Sequence, residues 1–376
     1  MKLFDAITRP FRRPAKPDRA LAKARAKTEG VLLMGAFDFD RAQLGPDLEH
    51  NAEAGDLALR TTRMPIVVVG DGRADLAAIR AAARRLSGAR GIAGEIIGKV
   101  RVFRRDALLQ AGGLDASETM RELGWRMAGE EPASVVLDGG EATIFLSLSG
   151  RQWAWPLTQH FLETQTFPRQ RTRLHILDTS GDPSFSSPVR EWMKGCGYAS
   201  AELSCDRVGP AGLADEARPD ALDAVRHAVA RIYNRFARAC RTPLVFFLED
   251  DVIPPPDAFT RLADLVKNGA ASASGVVRGR HEKYRRGAAI AWRWRPDGTR
   301  EPLARDGGGV EEVGGSGFGC AAMRGDLVAG HVFRSGTPQQ DFDFNFFHDI
   351  VREDGGRALL DWGCVCQHHD SAEQWV

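Results

Sequence analysis

Glu249, Asp250 and Asp251 stand side by side at the end of the apolar run 243–248, with Pro254, Pro255 and Pro256 just behind them. Three adjacent carboxylates repel one another unless positive charge sits among them. Two carboxylates separated by one residue at the end of a strand project to the same side, which suits a hard divalent cation such as Mg2+ or Mn2+. Such a cation inverts the local repulsion and commonly bridges to nucleotide phosphate oxygens. Taken alone, the cluster also fits a solvated acidic turn ahead of the helix that begins near Pro256, since acidic side chains favour helix N-termini.

Other segments carry chemistry-bearing residues. Asp178 closes the short apolar segment 173–178, and Asp341 and Asp343 open the segment DFDFNFFHDIV. His368 and His369 close LLDWGCVCQHH near the end of the chain. Glycines at 314, 315, 317 and 319 permit close backbone approach, as in a loop lining a pocket, or serve tight turns. Residues 274–298 combine Arg278, Arg280, Lys283, Arg285 and Arg286 with Trp292 and Trp294. That mixture fits either a basic segment closing on phosphates or a solvated hairpin with core-facing tryptophans.

The elements that must position these residues alternate. Strands are expected at 142–148, 173–178, 201–205 and 243–249, and helices at 151–165 (Pro156 apart), 187–196 and 220–240. Leu222, Val225, Val229, Ile232 and Phe236 fall on one face of the last helix. The continuously apolar 243–249 reads as a central parallel strand covered on both faces. Such alternation predicts a doubly wound α/β domain with right-handed crossovers and a ligand at the carboxyl ends of its strands. Asp178 and Glu249–Asp251 are then expected to face one crevice.

Length and composition bound the rest. The 376 residues suggest two domains, and 43% hydrophobic with 27% charged residues is a globular balance. A net charge of +1 argues against a globally electrostatic nucleic-acid binder. No run of about 18 apolar residues exists to span a membrane, and the N-terminus lacks the apolar core of a signal peptide. The cysteines, at 196, 205, 240, 320, 364 and 366, show no CxxC or zinc-like spacing and are expected to be reduced, as in a cytoplasmic protein. The Cys364-Val365-Cys366 pair reads as strand packing.

Residues 1–30 are a basic tail in which Leu3, Phe4, Ile7 and Phe11 could form one face of a helix lying peripherally on a membrane. Residues 64–86 read as a strand, a Gly/Asp turn and an Ala-rich helix, one α/β unit. A boundary is expected at 139–141, separating a 31–138 accessory region from a 139–376 catalytic domain.

Four segments in order, LHILDTSGD, ARIYNRFARACRTPLVFFLEDDVIPPPDAF, GGSGFGCAAMRGDL and QQDFDFNFFHDIVREDGGRALLDWGCVCQHH, resemble the GT-A glycosyltransferases, especially the family-2-like enzymes. The resemblance covers residues 140–376. It implies a GT-A (nucleotide-diphospho-sugar transferase) doubly wound mixed sheet preceded by a smaller α/β region. It implies Mn2+ or Mg2+, a UDP-, GDP- or TDP-linked donor, and transfer of a hexosyl group to an acceptor hydroxyl; one base and one cation suffice for single displacement with inversion, and retention stays open. The acceptor, whether glycan, lipid-linked, protein or modified DNA, stays open. The DxD motif of such enzymes falls on Glu249-Asp250-Asp251, with Glu in place of the first Asp. Asp251, Glu249 and His368 (rather than His369) are the implied metal ligands. Ser149, Arg151, Asp178, Asn234, Glu249, Asp250, Gly315 and Gly317 are the implied nucleotide-sugar contacts. Asp341 is the implied catalytic base, with Asp343 beside it and Gln340 where such enzymes carry Glu. Residues 98–129 are similar to an acceptor-side segment, suggesting a degenerate half-domain. A non-catalytic nucleotide- or glycan-binding module with a decayed site and a nucleotidyltransferase are the alternatives.

Overall fold

The computed structural model describes residues 31–34, 37–38, 48–51, 64–70, 72–73, 75–88, 92–97, 100–111, 114, 117–130, 137, 140–206, 219–280, 286–335 and 341–376. The basic tail with Leu3, Phe4, Ile7 and Phe11 lies outside the described residues, as do Lys283, Arg285 and Gln340. The chain divides into two compact units, residues 1–89 with 94–105, and residues 90–93 with 106–376. The main division between these units falls at 105/106.

The smaller unit holds β1 (Val31–Met34), β2 (Leu48–Asn51), β3 (Ile66–Val69), α1 (Leu76–Gly88), β4 (Ile92–Ile97) and β5 (Val100–Arg104). Its strands run in the order β2-β1-β3-β5-β4, parallel among the first three and antiparallel at β3–β5 and β5–β4. Asp75 starts α1, its Oδ1 accepting the backbone N–H groups of Ala77 and Ala78 at 3.1 and 3.0 Å. Leu76, Ile79, Ala83 and Leu86 follow at three- and four-residue spacing and are buried, which puts one face of α1 inward.

In the larger unit the alternation appears as β6 (Ala142–Leu148), α2 (Ala154–Thr164), β7 (Thr172–Asp178), α3 (Pro183–Met193), β8 (Ser200–Cys205), α4 (Pro219–Ala239), β9 (Leu244–Glu249), β10 (Val252–Ile253), α5 (Ala258–Lys267) and β11 (Ser272–Val276). Beyond these come β12 (Ala291–Trp294), β13 (Arg300–Pro302), β14 (Val310–Val313), β15 (Gly315–Ser316), β16 (Cys320–Arg324), α6 (Gly325–Gly330), α7 (Phe342–Phe347), β17 (Ala358–Val365) and β18 (Gln367–His368). Pro156 is tolerated because it lies in the first turn of α2, where its missing N–H has no helical partner to lose. Pro183 opens α3 behind Asp182, which caps it through the Ser184 N–H at 2.8 Å.

An eight-stranded sheet runs β8-β7-β6-β9-β16-β11-β17-β14. β6 to β9 are mutually parallel, β16 is antiparallel to β9 and β11, and β17 is parallel to β11. The mixed, doubly wound α/β fold expected from the sequence is therefore present. Alternate residues of β9 feed two cores. Leu244, Phe246 and Leu248 pack in a layer with α2, α3 and α5, while Val245 and Phe247 pack in a layer with α4, α6 and α7. That two-sided burial explains the unbroken apolar run. β7 and β8 succeed β6 on one side and β9 lies on its other side, so the chain reverses direction across the sheet at β6. Ligands of open α/β sheets bind outside the carboxyl ends at such a switch point.

Candidate active site

Register aligns the carboxyl ends. Asp178 pairs with Leu148, and Glu249 pairs with Ser147, so the ends of β7, β6 and β9 share one edge. Short β10 then pairs antiparallel with β18, Val252 opposite His368, and the N–H of His369 donates to the Asp251 carbonyl at 2.8 Å. The C-terminal strand thereby delivers His368 to the acidic cluster.

The positive partners of the three carboxylates are two arginines and this histidine. Arg151 Nη1 lies 2.5 Å from Asp250 and 3.0 Å from Asp251, and Arg280 Nη1 lies 2.5 Å from Asp251. Asp250 also accepts the Ser149 N–H at 2.9 Å and its hydroxyl at 3.0 Å, and it is 1% exposed. His368 Nε2 stands 3.8 Å from Asp251 Oδ2, with Nδ1 2.6 Å from the Arg278 carbonyl. His369 instead spends its ring nitrogens on Ser371 O and Gln367 Oε1, both at 3.1 Å.

Burial pushes Asp250 up to about 6, against the pull of Arg151. It also pushes Glu249 up to about 7, helped by the charge of Asp251. Asp251 goes the other way. Burial opposes its ionisation, but His368, Arg151 and Arg280 together hold it down to about 2. His368 is raised: burial is the largest single influence and lowers it, but Asp251, the Arg278 carbonyl and the Glu249 charge together outweigh it. Asp251 is thus the carboxylate kept ionised, and ionised carboxylates are what cations bind.

Asp251 and His368 offer one oxygen and one nitrogen, a donor set that fits Mn2+ or Mg2+. Neighbouring ligands of a cation with bonds of about 2.1 Å lie about 3 Å apart, and the observed 3.8 Å is close to that. Glu249 does not complete a three-ligand group with them. The chain turns at Asp250 and Asp251, so the same-side rule for alternate strand residues fails here. The remaining ligands of such an ion would be water and the oxygens of a bound ligand.

Glu249 turns toward a second set of groups. The Cβ that Gly319 lacks would sit 3.5 Å from Glu249 Oε2, and the Glu249 and Asp343 charges both bear on the buried Tyr233 hydroxyl, which is held well above its usual range chiefly by burial. Asp343 is pushed up to about 8 by burial and then by Asp341, while Arg300 draws it back. Asp341 begins α7 without capping it and pairs with Arg226 of α4, keeping a third of its side chain exposed.

Three expected contacts are already engaged with other groups of the protein. Asn234 is wholly buried, donating to Gln110 Oε1 and Phe333 O at 2.8 and 2.9 Å and accepting the Phe333 N–H at 2.7 Å. With Gln110 and Trp125 it forms a network inside the larger unit, so residues 106–130 belong there. Asp178 is also fully buried, with Oδ1 accepting the Ser180 N–H and hydroxyl at 2.8 and 2.6 Å and Oδ2 accepting the Ser186 hydroxyl. It shapes the loop into α3. Gly315 lies under aromatic rings: a Cβ there would come within 2.5 Å of Trp292 and 2.6 Å of Phe347. Gly317 is half-buried, and a Cβ there meets only Ile290 at 3.4 Å.

The sequence reading passed over Tyr233, Arg226 and Arg300. Tyr233 carries a hydroxyl on an apolar helix stripe, four residues after Val229, and that polar tip was the available signal. Arg300 follows the Asp297-Gly298 turn, and nothing local marks it. Trp292 is core, edge-on to Phe344 at 4.6 Å and Phe347 at 5.7 Å, so the hairpin reading of 274–298 fits its position. A surface cavity of about 910 Å3 lined by Glu141, Arg171 and Arg173 lies at the opposite, amino-terminal edge of β6 to β8, away from these groups.

No protein-family model matches the chain, and no curated protein matches its sequence. Among solved structures it is similar to a mannosyltransferase from Pyrobaculum calidifontis in complex with GDP-Man and Mn2+, at 17% identity over 63% of this chain and 60% of that one, with a TM-score of 0.39. It is similar to GalNAc-T7 with UDP, GalNAc and Mn2+ at 13% identity, over 68% of this chain and 51% of that one, with a TM-score of 0.41. S. aureus TarS 1-349 in complex with UDP-GlcNAc matches at 11% identity over 63% and 62%, with a TM-score of 0.38. These neighbours are GT-A-type glycosyltransferases. The chain spans about 60% of the length of the mannosyltransferase. At such TM-scores the likeness is of general layout only. No helix among the described residues is long and apolar enough to cross a membrane.

Two outcomes follow from these placements. Replacing Asn234 by Ala takes the side-chain acceptor from the Phe333 N–H and one of two donors each from Gln110 Oε1 and the Phe333 carbonyl, so stability falls by about 1–3 kcal/mol in urea unfolding. Nucleotide binding by the folded fraction stays unchanged, and weakened binding without lost stability would return Asn234 to the site. Asp343 binds its proton more tightly folded, at about 8, than unfolded, at 3.8. Its contribution is therefore full below about pH 4 and is lost as pH rises through 8. Wild-type melting temperature is expected to decline over that window more steeply than that of Asp343→Asn, and parallel profiles would contradict the burial of its charge.

Proposed function

We propose that the larger unit transfers a glycosyl group from a nucleoside-diphosphate sugar to an acceptor hydroxyl. The observation that carries this reading is the convergence of Asp251, His368, Arg151 and Arg280 at the switch-point edge of the sheet. An ionised carboxylate, an imidazole and two guanidinium groups together suit a cation-bound diphosphate. Asp251 and His368 would hold the divalent cation, which when bound neutralises charge on the departing diphosphate. Arg151 and Arg280, already at that edge, offer donors to phosphate oxygens. Ser149 and Arg151 fix Asp250, and Asp250 fixes the turn that aims Asp251.

Asp341 is the base in this reading. It is partly exposed, so an acceptor hydroxyl can reach it, and Arg226 orients it. Asp343 lies more deeply screened and keeps its proton near neutrality. It therefore supports the segment without taking the acceptor proton. A single base and a diphosphate leaving group suit direct displacement with inversion, here of a hexosyl group. The test is incubation with UDP-, GDP- and TDP-sugars plus Mn2+. Slow release of free sugar from one donor, absent under EDTA, supports the reading, and inertness toward the whole panel overturns it.

A further inference from the structure

Cys320, Cys364 and Cys366 come from separate places in the chain yet bring their sulfurs within 4.8 Å of one another, and all three are buried at 1% exposure or less. Cys320 opens β16, and Cys364 and Cys366 lie at and just past the end of β17, on opposite sides of β11. Between them stands Gly275 of β11. A Cβ at that position would sit 2.9 Å from the Cys364 sulfur and 3.0 Å from that of Cys366, so only glycine leaves the centre open to the sulfurs. The β11–β17 register breaks at this point. Gly275 pairs with Asp361 and Val276 with Val365, so the residues between loop out of the ladder and turn Cys364 inward. Arg261 of α5 holds that bulge by gripping Asp361 through two hydrogen bonds, at 2.9 and 3.0 Å, and places a positive charge beside it.

We propose that these three cysteines form a binding site for one thiophilic d10 cation of the zinc or copper(I) class. Metal–sulfur bonds of about 2.3 Å set ligand sulfurs about 3.8–4.0 Å apart, which the cluster meets with little movement. The three ligands are thiolates when bound. The site is closed to solvent, so the ion enters while the chain folds, and its role is structural. It clamps β16 to the end of β17, two residues before His368, and so holds the strand that supplies His368 to the active-site edge. This spacing was read from sequence as strand packing because Cys320 lies 44 residues away and only the sheet order brings it in.

The experiment uses the full chain carrying Cys205→Ser, which removes the exposed thiol. The protein is refolded under reducing conditions with and without Cd2+ as the probe ion. The expected result is one equivalent of Cd2+ retained through desalting, an ultraviolet thiolate-to-cadmium band, and a raised melting temperature. Cys320→Ser and Gly275→Ala each abolish the band, the second while keeping every thiol. Asp251→Asn leaves it intact, which separates this site from the active-site edge. Failure of the refolded Cys205→Ser protein to show the band, whether its remaining thiols titrate freely in denaturant or are found paired as a disulfide, overturns the proposal. Because that decisive measurement needs no variant at the cluster, loss of folding in Cys320→Ser or Gly275→Ala leaves it unaffected.

Discussion

Asp251→Asn is expected to abolish cation-dependent nucleotide binding, lowering affinity by more than about 100-fold, beyond the 10–100-fold usual for groups that merely orient metal ligands. The reason lies in charge more than in volume. Asp251 is the carboxylate of the cluster held down to about 2, so it stays ionised when Glu249 and Asp250 share protons near neutrality. Its replacement by the isosteric amide keeps the packing and leaves Arg151 its contact with Asp250 and Arg280 its contact with the His369 carbonyl. Removing one of three adjacent negative charges also relieves repulsion, so the fold should survive. Asp250→Asn is expected to differ. It loosens the Ser149 and Arg151 contacts that set the turn, and should weaken binding with or without the cation. Calorimetry showing intact cation-dependent binding by Asp251→Asn would remove Asp251 from the metal site.

The two aspartates of the α7 segment should part company on mutation to Asn. Asp341→Asn is expected to cut turnover by about 10²–10⁴-fold, the range for loss of a general base, while donor and cation binding persist. Asp343→Asn is expected to stay within about tenfold at neutral pH, because an amide mimics the protonated acid that burial maintains to about pH 8. Arg226→Gln should behave as a weaker form of Asp341→Asn, since it frees the base from its orienting partner without removing it. The reverse pattern, with Asp343→Asn crippled and Asp341→Asn within threefold, would transfer the base to Asp343. Steady-state rates at saturating donor and acceptor decide between them.

Much of this site could be read in the chain because the signals were local. The apolar run into Glu249 marked a strand covered on both faces, and strand–helix alternation placed its end beside that of β6. The closing histidines were also visible, and the β10–β18 register places His368, the one preferred from the sequence, opposite Val252. What escaped had long-range causes. Asn234 and Asp178 are polar residues at positions fit for a ligand, yet partners such as Phe333, 99 positions away, or Ser186 on the next helix consume them. Glu249 and Asp251 were expected to project together as ligands, but with His368 they do not form one compact three-ligand group. Arg280 as the partner of Asp251 could not be foreseen, since the basic residues around it look alike in sequence. Gly315 was read as pocket lining, but its open backbone serves the close approach of Trp292 and Phe347.

The most direct test of the central claim is Mn2+ binding to the wild-type protein, followed by the paramagnetic relaxation of water protons with and without a nucleoside diphosphate. Asp251 and His368 alone supply two ligands, so weak binding of the ion by itself and strong, mutually dependent binding of ion and nucleotide are predicted, both lost in Asp251→Asn. Nucleotide binding that is indifferent to Mn2+ and to EDTA would contradict the account, and would leave Arg151, Arg280 and His368 as the counter-charge of the acidic edge.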